Sequence, residues 1–128
     1  MGNKIEKLQF DSPYRTGAIA TTDLHAGGVL FFYVYYSYLQ FSSDGKVRFW
    51  RELIDNSGPF SEKEALSYKV IEEAEFSIND RGYLSFDISG AKYTGFTCNE
   101  AYNHIVFNVY FRKTGRSNSL VFKLENNA

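Results

Sequence analysis

A chain of 128 residues, 44% of them hydrophobic and 23% charged, has the size and composition of one globular domain whose core needs no metal or disulfide staple. Fourteen basic residues against fifteen acidic ones leave a net charge of −1, which excludes the basic field that would draw in nucleic acid. The lone cysteine, Cys98, excludes an internal disulfide, and the longest apolar stretch, Val29 to Tyr36, is too short to span a bilayer.

Aromatic side chains are unusually frequent. Twelve Phe, ten Tyr and one Trp make up 18% of the chain, and such residues favour strands and fill interiors or binding surfaces. The opening residues, Met1-Gly2-Asn3-Lys4-Ile5-Glu6, contain no apolar run of the signal-peptide kind and place Glu6 where a myristoylation motif wants Ser or Thr. A cytoplasmic protein with no membrane association is the expectation. Residues 1–12 read as an N-terminal tail or cap, and residues 13–125 as a single domain.

The first strand is expected over Tyr14–Ala20. Gly27-Gly28 opens no helix and so reads as a turn rather than a phosphate loop. A second strand, Phe31–Ser42, places Phe31, Tyr33, Tyr35, Leu39 and Phe41 on one face and Phe32, Val34, Tyr36 and Tyr38 on the other. Both faces are apolar, which predicts a cover over the outer one: the segment Ile5 to Phe10, a short helix, or another chain. Ser43-Asp44-Gly45 turns the chain into a third strand, Lys46–Leu53, and Asp55-Asn56-Ser57-Gly58-Pro59 is a loop.

Ser61-Glu62-Lys63-Glu64 is a capping box. The helix it starts either continues through Leu66, Val70 and Ala74 or ends near Ser67 and gives way to a strand, Tyr68–Ile78. The second reading is preferred, because Phe76-Ser77-Ile78 leads straight into the turn Asn79-Asp80-Arg81-Gly82 and another strand, Tyr83–Ser89. Ser89-Gly90 then precedes Lys92–Cys98. Beyond it, Ile105–Lys113 and Ser119–Leu124 alternate cleanly on either side of Thr114-Gly115. These eight runs predict an all-β, eight-stranded, antiparallel up-and-down barrel with one short helix near Ser61–Ser67.

The hairpin string Tyr36-Ser37-Tyr38-Leu39-Gln40-Phe41-Ser42-Ser43-Asp44-Gly45-Lys46-Val47 resembles the Y-x-Y-L-x-F-x-x-D-G-x-V hairpin of lipocalin-like domains, which occur as small bacterial proteins and as a C-terminal module of some F-box proteins. Lys92-Tyr93-Thr94-Gly95-Phe96 is similar to the Y-x-G strand in the second half of those domains. The order of elements matches from about Tyr14 to Leu124. Arg15-Thr16-Gly17-Ala18-Ile19 departs from the Gly-x-Trp signature of the secreted branch, having the glycine without the tryptophan. The resemblance implies a barrel with a central cavity; it names no reaction and no ligand.

Arg51 is in phase with Val47, Phe49 and Leu53, so the strand pattern aims it inward; Glu72 is in phase with Val70, Ala74 and Phe76. A buried charge is costly unless paired. Arg51 therefore binds a carboxylate or phosphate of a ligand, pairs with Glu72, or reaches water at a bulge or rim. Phe49, Phe76 and Phe107, with Phe86 and Phe122, either line a ligand cavity or fill the barrel, because eight strands enclose a space that side chains can pack solid. Tyr36, Tyr38 and Trp50 face outward as candidate partner contacts. Cys98 with His104 or His25 makes no catalytic pair on spacing alone, and three ligands at structural-zinc spacing are absent. No cofactor is assigned. The expected function is a non-catalytic binding protein holding a small apolar or aromatic molecule. The alternative is a protein–protein interaction module, such as an inhibitor or a toxin-immunity protein.

Overall fold

Period-two alternation builds the fold almost alone. The computed structural model describes residues 8–24, 30–56, 70–97 and 103–125. They form ten strands: β1 (Pro13–Arg15), β2 (Ile19–Leu24), β3 (Leu30–Phe41), β4 (Lys46–Asn56), β5 (Glu72–Glu75), β6 (Ser77–Ile78), β7 (Leu84–Ile88), β8 (Ala91–Thr97), β9 (His104–Phe111) and β10 (Arg116–Leu124). All pairings are antiparallel, in the order β5-β4-β3-β1-β10-β9-β8-β7-β6, with β2 also on β3. The two ends of this order are joined through Phe76, so the sheet is a nearly closed barrel. Among the described residues no helix is long and apolar enough to cross a membrane.

The strand count corrects the expected eight, because two of the predicted runs break. The run Tyr14–Ala20 breaks at residues 16–18. There the Thr16 N–H donates to the Ser37 carbonyl (3.0 Å) while the Thr16 hydroxyl accepts the Ser37 N–H (3.1 Å) in place of a backbone carbonyl. Arg15 pairs with Tyr38 and Ile19 with Tyr35, so four steps on one strand oppose three on the other. This extra residue is a bulge, and it exchanges the inward face from Tyr14 and Thr16 to Ile19.

The run Tyr68–Ile78 breaks at Phe76. β5 pairs with β4, the Phe76 N–H donates to the Gly45 carbonyl at 3.0 Å, and β6 then pairs with β7. One stretch of chain thus changes partners and draws the barrel shut. The strand starts at Glu72, which rules out a helix running through Ala74; Val70 and Ile71 before it are exposed. The predicted helix near Ser61–Ser67 lies outside the described residues.

The lower half of the barrel is packed solid. Tyr14, Leu39, Phe41, Val47, Ile105, Phe107, Val109 and Phe122 are fully buried there. The rings of Phe86 and Phe107 meet edge to face at 5.6 Å, and those of Phe107 and Phe122 at 5.5 Å. Leu8 is buried in the same cluster, Phe10 packs against it and bridges Phe41 in parallel, and the Gln9 N–H donates to the Tyr14 hydroxyl at 3.1 Å. The described part of the tail therefore plugs the barrel floor. Leu8 and Phe10, from one of the three candidate covers for the outer face of β3, lie in the interior instead; Ile5 lies outside the described residues.

At the opposite end, Ser89 and Gly90 both take positive φ, 54° and 74°, between the paired residues Ile88 and Ala91. This is the two-residue primed hairpin whose twist suits flanking strands.

Candidate functional site

Above the packed half, the barrel holds a cavity of about 380 Å³. It lies just beyond the bulge at residues 16–18. β1 runs beside β10, with Tyr14 opposite Leu124 and Arg15 opposite Lys123; after the bulge the chain pairs as β2 with β3 alone. The cavity lies where β2 and β10 part, walled by Ile19 and Ala20 on one side and Asn118 and Leu120 on the other.

β4 contributes Phe49 and Arg51, and β3 contributes Tyr35 and Ser37. Arg51 stands directly opposite Ser37, and Leu53 opposite Tyr35, which puts the Arg51 guanidinium diagonally beside the Tyr35 ring, 5.7 Å from its centroid. The Arg51 guanidinium is near enough to act on the Tyr35 hydroxyl. Burial pushes the Tyr35 phenol above its ordinary pKa, against the opposing pull of Arg51. Tyr93, from β8, is pushed well above the usual tyrosine range by burial, with Tyr35 and Glu72 adding to the effect and Arg51 opposing it. Both phenols therefore keep their protons at neutral pH and face the site as hydroxyl groups. Phe111 and Ala91 complete an aromatic and apolar wall. Arg51 is the one charged side chain among the described residues that line the cavity.

The predicted ligand residues are only partly brought together. Phe49 and Arg51 line the cavity. Glu72 is on the inner face, since it pairs with the buried Phe49, yet it lies outside the lining, and among the described residues no ion pair joins it to Arg51. Phe76 sits at the barrel seam with its ring 5.2 Å from Phe41. Phe107 is buried beneath the cavity, inside the packed half. Sequence spacing alone does not group Tyr93, Ser89, Phe111 and Asn118, because the barrel gathers them from the β7–β8 hairpin, β9 and β10. Their one shared signal, position at the same end of neighbouring strands, requires the register to be known.

The outward candidates form a ladder across β1, β3 and β4. The Arg15 guanidinium lies 4.0 Å above the Tyr36 ring; Tyr36 meets Tyr38 edge to face at 6.5 Å; Tyr38 stacks on Trp50 at 5.1 Å. The Tyr38 hydroxyl donates to Glu52 at 2.8 Å, and Arg15 pairs with Glu125 at 3.5 Å. Tyr38 is only 8% exposed, so this face is covered by its own neighbours. Burial and the adjoining Glu52 push the Tyr38 pKa up to about 12.

A second outer row is less sheltered. Phe96, Val106 and Val121 stand in register across β8, β9 and β10, with Tyr83 in ring contact with Phe96 at 5.9 Å. Phe96 is 48% and Val121 42% exposed. His104 begins β9 opposite Lys123, while Cys98 and His25 lie outside the described residues. Among the described residues no group of three or more His, Cys, Asp or Glu is placed to hold a metal ion. Comparison with known proteins finds no matching family model, no matching curated protein and no matching solved structure.

Proposed function

We propose that this barrel is a non-catalytic, lipocalin-like binding protein that holds a small, largely apolar or aromatic molecule. The observation that carries the reading is the division of the interior: one half is filled by interlocked rings, while the other keeps a cavity of about 380 Å³. That volume lies near the lower end of the range of small-molecule sites, and its mixture of rings with a few convergent polar groups is the usual composition of one. Native mass spectrometry of the freshly purified protein tests it. The expected result is a folded species heavier than the chain by a small molecule that leaves on denaturation.

A second reading, a protein–protein module of the inhibitor or immunity type, draws on the outer row of exposed Tyr83, Phe96 and Val121 with the half-buried Val106 between them. Tyr36, Tyr38 and Trp50 support it less well, since their rings are already engaged with one another.

A further inference from the structure

We infer that the molecule held in the cavity is a monoanion, a small aromatic carboxylate whose acid group is taken by Arg51 while its ring lies against Phe49, Tyr93 and Phe111. The inference rests on the cavity being the binding site. It adds the charge and class of the ligand.

Charge complementarity comes first. The described lining holds one cation and no anion. A carboxylate beside a guanidinium in a ring-walled site gains strength from the reduced dielectric, and the planar fork of Arg51 matches its geometry. The guanidinium has five N–H donors, so its place beside the Tyr35 ring is compatible with a bidentate partner. Ser37, directly opposite Arg51, brings a hydroxyl to the same spot, and Tyr35 and Tyr93 bring two more.

A single cation in the described lining suits a single negative charge. A phosphate dianion would leave a second negative charge uncompensated, which a partly buried site penalises. Glu72, on the same inner face and close enough to act on Tyr93, adds to that penalty. A cationic ligand would face Arg51 directly.

Calorimetric titration of the intact chain near pH 7 with phenylacetate, phenylacetamide and phenethylamine tests the inference. All three carry the same ring and differ in charge. Phenylacetate is expected to bind roughly ten- to a hundredfold more tightly than the amide, the usual worth of charge-assisted hydrogen bonds, and the amine more weakly than either. Arg51→Met should bring the acid down to the amide's affinity and leave the amide unchanged; Arg51→Lys should keep part of the preference. Equal binding of acid and amide by the unaltered protein would overturn the inference while leaving a ring-binding cavity in place. Binding of none of the three would overturn the inference and the cavity reading together. The acid-to-amide ratio of the unaltered protein decides the matter even if Arg51→Met does not fold.

Discussion

Gly95 on β8 lies directly across from Phe107 on β9, and the Phe107 ring fills the space a side chain at position 95 would need. A Cβ at that position would come within 2.3 Å of the ring, closer than any real contact. Phe107 in turn meets Phe86, Tyr93 and Phe122, so it has no room to withdraw. Gly95→Ala should cost about 2–3 kcal/mol, near the upper part of the usual range for overpacking, read as a lowered urea midpoint with an unchanged slope. The tighter Gly95→Val should cost more.

Trp50 and Tyr38 stabilise each other on the outer face. Trp50→Ala removes a stacked ring and uncovers Tyr38, and the expected loss is about 1–3 kcal/mol. Tyr38→Phe keeps the stack and removes the bond to Glu52, so it should cost about 1 kcal/mol. Denaturant unfolding of both variants measures the difference. Equal losses would mean that the hydroxyl, not the ring, holds this face.

Two tyrosines predict an alkaline weak point. Burial raises Tyr14 and Tyr38 to about 12 each, whereas an unfolded tyrosine titrates near 10. Below about pH 10 both states keep the proton and the stabilisation is fully present. Between about pH 10 and 12 the unfolded chain releases a proton that the folded chain retains, so stability falls as pH rises. Urea midpoints should be flat from neutral pH to about 10 and decline above it, and Tyr14→Phe should make that decline shallower.

Arg51 and Glu72 share the inner face, and among the described residues no ion pair joins them, so their contributions to stability are expected to be largely separate. The double variant Arg51→Met with Glu72→Gln should lose about the sum of the single losses, with a coupling below about 1 kcal/mol. Recovery of stability in the double variant would show instead that the two charges neutralise each other.

The strands were legible because burial alternates along them. Leu84, Phe86 and Ile88, or Ile105, Phe107 and Val109, announce an inward face by spacing alone, and the same phase correctly turned Arg51 and Glu72 inward and Trp50 outward. What escaped lay in departures from that period. A threonine hydroxyl replacing a carbonyl at Thr16 inserts one residue into a strand, and the isolated Gly17, a residue that often marks a bulge, is its one signal in Thr16-Gly17-Ala18. The cavity lies beside that insertion, where β2 and β10 part. The cover of β3 escaped for a related reason: Tyr38 stacks on Trp50 only once the β3–β4 register pairs them. Leu8 looked like an outer cover because its depth depends on where the tail re-enters the barrel.

A small ring compound is expected in the cavity bounded by β2, β3, β4, β8, β9 and β10. Amide-correlation NMR during titration with indole tests it most directly, since it reports both binding and place. The expected shifts concentrate at Ala91, Tyr93, Phe111, Asn118 and Leu120, with Arg51 among them, and little changes on the outer row. Shifts confined to Tyr83, Phe96, Val106 and Val121, or no shifts at all, would contradict it.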